Sequence, residues 1–282
     1  MCVAVIDDGV EDHEELTGRV LQGFTPQTSA NNPDTHGGPN ANDPRLTDYP
    51  HDQDDPFGHG QCCTGIIAAS HNDIGIRGIA PNIEIVPVNI FNDWSIIPYE
   101  GHEYDSCVFW AEDAQDYADA IDWAWEDGEA DVLSNSWGYN TTEQFADNII
   151  NAIGRARTQG RNGNGSVVVF ASGNWNEWFS GVTFPANVSG VITVGAIDNN
   201  GNIWDYSSRG PEMDLVAPSG GIPGNVRTID RMGSNGYEDG NYYNFFNGTS
   251  AACPQVSGVA ALMLSVNSNL YETQVRTTLQ QT

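Results

Sequence analysis

Short apolar runs alternate along this chain with longer segments of helical period, and this alternation constrains the fold more than any other feature of the sequence. The strand-type runs lie near residues 2–7, 83–90, 131–136, 166–171, 190–197 and 214–217. The helical segments lie near residues 59–70, 112–127, 143–160 and 249–266. Strands separated by helices in this way are typical of a mostly parallel sheet with helices on both faces. The sequence therefore predicts an α/β fold with three layers.

Two long stretches interrupt this pattern. Residues 25–58 are dominated by Pro, Asn, Asp, Gly and His without a sustained apolar period, which predicts a long surface loop. Residues 219–243 are rich in Gly and Asn and are expected to contain a hairpin or a meander. Neither an internal repeat nor a linker-like change of composition is present, so we expect one domain over residues 1–282. Because a core strand begins directly after Met1, we also expect that an N-terminal segment and any propeptide are missing from the chain.

The chain is strongly acidic. Of its 282 residues, 38 are Asp or Glu and 10 are basic, all of them Arg, which gives a net charge of −28 at pH 7. Binding to a phosphate backbone or an anionic membrane surface normally needs a basic patch, so we expect neither nucleic acid nor membrane as a partner. The longest apolar runs, such as Val167–Ala171, are also too short to cross a membrane. Such acidity suits a salty or calcium-containing medium.

Three segments place a reactive residue type at a strand end or at a helix start. Asp7 ends an apolar strand, His59 lies in the first turn of a helix of small residues, and Ser250 opens an apolar helix. Taken singly, each has an ordinary interpretation as a turn former, a surface residue or a helix cap. Taken together, they supply a hydroxyl nucleophile, an imidazole base and a carboxylate that orients the base.

A fourth segment, residues 167–174, is an apolar strand that ends in the carboxamide of Asn174. Asn174 could be a turn former and nothing more. In acyl transfer, however, the tetrahedral intermediate carries a negative oxygen that needs hydrogen-bond donors. The Asn174 side chain and the backbone N–H of Ser250, at a helix start, would supply two of them.

These four motifs, in this order, resemble those of the subtilisin-like serine proteases, the subtilases. The resemblance extends from Val3 to Thr282 and includes residues 133–138, 206–211 and 214–218. It implies the three-layer subtilisin-like fold and a serine endopeptidase that works through an acyl-enzyme. The roles that it implies are orienting acid for Asp7, general base and then acid for His59, nucleophile for Ser250 and oxyanion donor for Asn174.

The resemblance also implies a groove for an extended substrate. One wall would be an edge strand that pairs with the substrate backbone, formed by Ser136, Trp137 and Gly138. The opposite wall of the pocket for the residue before the cut would be formed by Ala171, Ser172 and Gly173. Thr183 lies at the base of that pocket, where relatives often carry Gly, so the pocket is expected to be shallower than usual.

Several details lean toward the kexin-like branch of the family, among them the doublet Asp7-Asp8 and the sequence 136–138. In that branch the second Asp helps to bind a basic substrate residue, a role open to Asp8. Thr141 and Pro185, however, stand where that branch carries acids that make it Arg-specific. We therefore expect broad cleavage, with kexin-like cleavage after basic residues as the alternative.

The five Cys residues form no regular framework, and because their number is odd, at least one is free or pairs between chains. Cys63 lies four residues after His59 and therefore on the same helical face. The resemblance suggests a buried free thiol behind the base, and the alternative is a small apolar filler.

Residues 71–76 resemble the calcium loop of the family. The implied ligands are the carboxylate of Glu15, the side-chain oxygen of Asn72, and the carbonyls of Ser70, Ile74 and Ile76. Oxygen ligands suit a structural Ca²⁺, and a tight turn is the alternative interpretation. A second acidic set, Asp43, Asp48, Asp52, Asp54 and Asp55, could bind another Ca²⁺ or form a solvated loop. No organic cofactor is expected.

The leading functional hypothesis is a secreted, monomeric serine endopeptidase that cleaves extended protein or peptide segments. Secretion is expected from the resemblance and the acidity, and an inhibitory propeptide is a further candidate partner. One alternative is a catalytically inactive homologue that binds peptides in the same groove. Another is a calcium-dependent structural or adhesion module.

Overall fold

A computed structural model describes residues 1–26, 58–91, 94–98, 106–110, 114–139, 146–221 and 225–281. For residues 94–98, 106–110 and 146, it describes the backbone alone. Most of the predicted surface loop over residues 25–58 lies outside the described residues, and so do Thr141 and the second acidic set.

The described residues form ten strands and five α-helices in an alternating order. The strands are β1 (Cys2–Asp7), β2 (Glu84–Asn89), β3 (Trp94–Pro98), β4 (Ser106–Trp110), β5 (Val132–Asn135), β6 (Val167–Ala171), β7 (Ile192–Ile197), β8 (Leu215–Pro218), β9 (Val226–Ile229) and β10 (Tyr242–Phe246). The helices are α1 (His59–Ala68), α2 (Ala114–Glu126), α3 (Ala146–Gln159), α4 (Thr249–Val266) and α5 (Glu272–Gln280). All predicted strands and helices are present, within a few residues of their predicted bounds.

A six-stranded sheet in the order β2-β1-β5-β6-β7-β8 forms the centre of the fold. Every neighbouring pair in it is parallel. Because parallel strands all end at the same edge, the residues that follow β1, β5 and β6 lie close to one another there. Outside this sheet, β9 pairs with β10 in an antiparallel hairpin, as the composition of residues 219–243 predicts, although β10 extends beyond that range.

One antiparallel pair, β3 with β4, is absent from the sequence prediction. Its first strand has the sequence Trp-Ser-Ile-Ile-Pro, which is short and ends in a residue that cannot donate a backbone hydrogen bond. The second strand has the sequence Ser-Cys-Val-Phe-Trp, an apolar run that the sequence prediction did not assign to a strand.

Two apolar cores lie on opposite faces of the sheet, because side chains alternate along each strand. From β1, Val3 and Val5 enter the core with α1, α4 and α5, whereas Ala4 and Ile6 enter the core with α2 and α3. Among the described residues, α4 is the one helix with the length and apolar composition to cross a membrane, at a mean hydropathy of 1.3. Since 61% of that stretch is buried inside the fold, α4 has the character of a core helix.

Candidate active site

Two adjacent carboxylates at the end of β1 position the start of α1. Asp7 is 1% exposed, and both of its carboxylate oxygens lie 2.9 Å from Nδ1 of His59. The carboxylate of Asp8 accepts hydrogen bonds from the backbone N–H groups of Gly58, His59 and Gly60, at 2.9, 2.9 and 2.7 Å. Asp8 therefore caps α1 and holds the backbone of His59 beside Asp7.

The approach of α1 to β1 is close enough to require glycine at the second helical position. A Cβ atom on Gly60 would lie 2.6 Å from the carbonyl oxygen of Gly9 and 3.0 Å from Oδ1 of Asp8. A larger residue would therefore push the start of the helix away from the strand. The short distance between Asp7 and His59 depends on this packing.

The electrostatic environment of the pair favours a charged imidazole. Burial lowers the pKa of His59, but the charge and hydrogen bonds of Asp7, together with a smaller contribution from Cys63, outweigh it and raise the pKa well above its ordinary value of 6.5. Burial and the neighbouring charge of Asp7 raise the pKa of Asp8 to about 6, against the three N–H groups that favour its ionised form.

Ser250 is the second residue of α4 and lies in the same cleft as His59. Its Oγ donates to the carbonyl of Ser136 at 3.5 Å. Nearby, Oδ1 of Asn174 accepts hydrogen bonds from the backbone N–H of Thr249 at 2.8 Å and from its hydroxyl at 2.9 Å. Because Thr249 holds the oxygen end of the carboxamide, the NH₂ end of Asn174 stays available as a donor beside Ser250.

A buried thiol lies behind the pair. Sγ of Cys63 is 3.6 Å from the carbonyl oxygen of Ser250, 3.9 Å from Nδ1 of His59 and 4.0 Å from Oδ2 of Asp7. Burial raises the pKa of this thiol, so it stays protonated. Four of the five Cys residues are free and buried, namely Cys2, Cys62, Cys63 and Cys253.

The residues Asp7, His59, Asn174 and Ser250 line a common cleft of about 560 Å³. The predicted site residues that line it are Asp7, Asp8, His59, Ser136, Trp137, Gly138, Ala171, Gly173, Asn174, Thr183 and Ser250. Ser172 is fully buried behind the wall, where its carbonyl accepts hydrogen bonds from the backbone and hydroxyl of Thr183, so it supports the wall rather than facing the cleft.

Five further lining residues are not predicted from the sequence: Phe91, Tyr139, Trp175, Tyr237 and Thr249. Thr249, Trp175 and Tyr139 directly follow or precede predicted site residues, so adjacency to the motifs was a usable signal. Phe91 and Tyr237 come from segments without any motif, and only the folded chain brings them to the cleft.

Thr183 lies between the two walls of the predicted pocket. A Cβ atom on Gly138 would lie 2.7 Å from Oγ1 of Thr183, and one on Gly173 would lie 2.5 Å from its Cγ2. The Thr183 side chain thus contacts the glycine of each wall. It occupies space at the base of the pocket that a glycine would leave open.

The predicted metal ligands Glu15, Ser70, Asn72 and Ile76 also come together, away from the cleft. The fully buried carboxylate of Glu15 accepts hydrogen bonds from the Asn72 side chain at 2.9 Å and the Ile76 backbone at 3.0 Å. The Glu15 carbonyl accepts from the backbone and hydroxyl of Ser70. A carboxylate, a carboxamide and loop carbonyls are residue types that suit Ca²⁺. In the described contacts, however, Asn72 and Ile76 turn N–H groups rather than oxygens toward the Glu15 carboxylate.

The alternative interpretation of this loop as a tight turn also has support. Oδ1 of Asn72 accepts a hydrogen bond from the backbone N–H of Ile74 at 3.1 Å, as in an Asx turn. In addition, Arg19 donates to the Glu15 carbonyl at 2.6 Å and to the Ser70 hydroxyl at 2.8 Å. Hydrogen bonds within the protein therefore already hold part of the loop.

Comparison with known proteins identifies the family. A family model described as the subtilase family, Peptidase_S8, matches residues 1–282. The protein belongs to the subtilase family. Among solved structures, this subtilase is similar to a protease from Pseudoalteromonas arctica, with a TM-score of 0.77 and 26% identity over 100% of this chain and 82% of the other. This similarity confirms the predicted three-layer subtilisin-like fold.

Curated relatives of the subtilase include a calcium-dependent protease of Trichormus variabilis, which is 32% identical over 97% of this chain and 40% of its own length. The alkaline elastase YaB of a Bacillus species is 31% identical over 99% of this chain and 58% of its own length. The subtilase chain thus spans about 40% of the first relative and 58% of the second.

The pairing of His59 with Asp7 predicts a pH titration that does not depend on any substrate. We expect the imidazole of His59 to titrate with a midpoint above 6.5, followed by NMR and assigned through a His59→Gln variant. Asp7→Asn should lower the midpoint, because burial then acts without the carboxylate that opposes it most strongly. A native midpoint at or below 6.5 would contradict the described pairing.

Proposed function

We propose that this subtilase is a serine endopeptidase that cleaves extended protein segments through an acyl-enzyme. The observation that carries the proposal is the contact between the Asp7 carboxylate and the His59 imidazole in the cleft that Ser250 and Asn174 also line. These four side chains supply a nucleophile, a base, an orienting carboxylate and an oxyanion donor in one cavity.

The chemistry follows from these positions. Oγ of Ser250 attacks the carbonyl carbon of the scissile bond, while Nε2 of His59 takes the hydroxyl proton and Asp7 holds the other ring nitrogen. The NH₂ group of Asn174 and the backbone N–H of Ser250 stabilise the oxyanion. His59 then gives its proton to the departing amine, and the C–N bond breaks. In the second half, His59 takes a proton from water while the water oxygen attacks the acyl carbon. The bond from that carbon to Oγ of Ser250 then breaks, His59 returns the proton to Oγ, and the acid product leaves.

The groove supports recognition of the backbone and of a small side chain. Residues 136–138 would pair with the extended substrate, since an edge segment offers N–H and C=O groups to any peptide. Thr183, lodged between Gly138 and Gly173, leaves a shallow pocket for the residue before the cut. We therefore propose that small side chains are preferred there.

Kexin-like cleavage after basic residues is the weaker alternative. The carboxylate of Asp8 already accepts three backbone hydrogen bonds at the start of α1, which leaves it little acceptor capacity for a substrate cation. Its part in substrate binding stays a prediction.

A peptide-binding homologue without activity is the alternative from another functional class. It would need no oriented base, and the paired Asp7 and His59 count against it.

We further propose a secreted, monomeric protein whose residues 1–282 form one catalytic domain, on the grounds of family and acidity. An inhibitory propeptide would be a partner of the same groove.

We also propose that the loop after α1 binds a structural Ca²⁺. The ligands would be Glu15, Ser70, Asn72, Ile74 and Ile76, all through oxygen. Bound there, the cation would offset the buried charge of Glu15 and fix the loop against α1.

Covalent labelling tests the proposed nucleophile. A fluorophosphonate should form an adduct on Ser250, located by peptide mass spectrometry, because His59 activates that hydroxyl. Ser250→Ala should abolish both labelling and peptide hydrolysis, whereas Ser265→Ala, an exposed serine on the same helix, should change neither. Native protein that folds but carries no adduct would support the inactive, peptide-binding alternative.

The shallow pocket predicts a change of specificity on trimming Thr183. Thr183→Gly should raise kcat/KM for substrates with Phe before the cut by about tenfold or more relative to Ala, because space opens between the two walls. Thr183→Ser, which removes the methyl group alone, should give a Phe-to-Ala ratio of kcat/KM between those of the native protein and Thr183→Gly. An unchanged Phe-to-Ala ratio in Thr183→Gly would refute the proposed position of the pocket.

The calcium site predicts a metal-dependent stability. A chelator should lower the thermal midpoint by about 5 °C, and Ca²⁺ but not Mg²⁺ should restore it, because only Ca²⁺ accepts such flexible oxygen ligands. Asn72→Ala should remove this response, while Asn200→Ala in an exposed turn should retain it. Identical melting curves with and without chelator would contradict the proposed calcium site and support the interpretation of the loop as a tight turn.

A further inference from the structure

Three large aromatic side chains are exposed within five residues of the chain, directly after Asn174. Trp175 is 38% exposed, Trp178 is 76% exposed and Phe179 is 54% exposed. We refer to these three residues as the aromatic rim. Large apolar side chains exposed so near one another in the chain often mark an interaction site, because leaving them in water is unfavourable.

Hydrogen bonds hold the backbone of the aromatic rim at several points. The Trp175 carbonyl accepts from the N–H groups of Trp178 and Phe179, at 2.9 and 2.8 Å, which closes a turn. Between them, Asn176 donates from its backbone to the Tyr206 carbonyl and from its side chain to the Asp205 carbonyl, at 3.1 and 3.0 Å. The rings are thus presented to solvent by a fixed turn.

The aromatic rim borders the cleft through its first residue. Trp175 lines the cleft itself, next to Asn174, and the segment that carries the rim leads on to Thr183 at the base of the pocket. Both ends of the segment therefore belong to the wall of the pocket. A polypeptide that occupies the cleft would contact Trp175, and the other two rings of the rim follow within four residues of the chain.

The negative net charge of the chain favours an uncharged, apolar partner for the aromatic rim. The net charge of −28 opposes docking of a second copy of the same chain and of an anionic membrane. The rim segment itself contributes one charged residue, Glu177. An apolar stretch of polypeptide would bury the rings without bringing further negative charge to the surface.

We propose that the aromatic rim binds large apolar side chains of the substrate polypeptide, beside the residues that flank the cleaved bond. This inference rests on the proposed endopeptidase function and adds a substrate class to it: unfolded segments rich in Phe and Leu. Small side chains before the cut and large apolar side chains in the flanks would together define the preferred sequence.

The test uses two peptides with the same cleavable core, flanked on both sides either by Phe and Leu or by Ser and Asn. The variant is Trp178→Ser with Phe179→Ser, which spares Trp175 in the cleft. The control is Leu262→Ser with Val266→Ser, which removes two exposed apolar side chains from α4, 40% and 88% exposed. KM and kcat are measured for both peptides, and binding of both to Ser250→Ala protein is measured by calorimetry.

We expect the rim variant to raise KM for the apolar-flanked peptide by about tenfold with kcat unchanged, and to leave the polar-flanked peptide unaffected. The control should match the native protein. Equal KM values in the variant and the native protein would overturn the proposal, and so would a similar loss for both peptides. A dimer in sedimentation that the rim variant abolishes would instead assign the rim to self-association.

Failure of the enzymatic proposal gives a different pattern. A native protein that cleaves neither peptide would contradict the endopeptidase function, while the binding experiment would still test the rim. In the calorimetric experiment, Ser250→Ala protein should bind the apolar-flanked peptide about tenfold more tightly than the polar-flanked one. Equal affinities would refute the rim proposal by itself.

Discussion

The hydrogen bonds between the Asp8 carboxylate and the first N–H groups of α1 are the constraint on which the site depends. They tie the start of the helix to the end of β1, where Asp7 is the preceding residue. The backbone of His59 is consequently held where its imidazole contacts the carboxylate of Asp7. Two neighbouring carboxylates thus have separate tasks: Asp8 positions the backbone, and Asp7 positions the ring and raises its pKa.

The parallel sheet gathers the rest of the site. Asp7 ends β1, Ser136 directly follows β5, and Asn174 lies shortly after β6, and all three strands end at the same edge. The start of α4 meets this edge, and Thr249 holds the Asn174 carboxamide there. The aromatic rim follows from the same arrangement, because the connection after β6 must leave the sheet at the cleft. The parallel arrangement of the strands therefore positions the site residues.

The central sheet and its helices could be predicted because they rest on local signals, namely apolar period and the breaks between apolar runs. The four principal site residues rest instead on motifs that resemble those of the subtilases, since each residue alone has an ordinary interpretation, and their roles stay a prediction. The cap by Asp8 could not, since the doublet Asp7-Asp8 does not show which N–H groups converge on the second carboxylate. Tyr237 and Phe91 carry no motif, and they reach the cleft only through tertiary packing. The resemblance already implied a shallower pocket at Thr183, but the contacts of its side chain with Gly138 and Gly173, which lie far from each other in sequence, needed the folded chain.

The central claim is that His59 and Ser250 act as one chemical unit, and the kinetics of combined substitutions test it most directly. The account predicts that His59→Ala and Ser250→Ala each lower kcat by several orders of magnitude, and that the double variant is no slower than the slower single one. Losses that multiply in the double variant would show that the two side chains act independently, and would contradict the account.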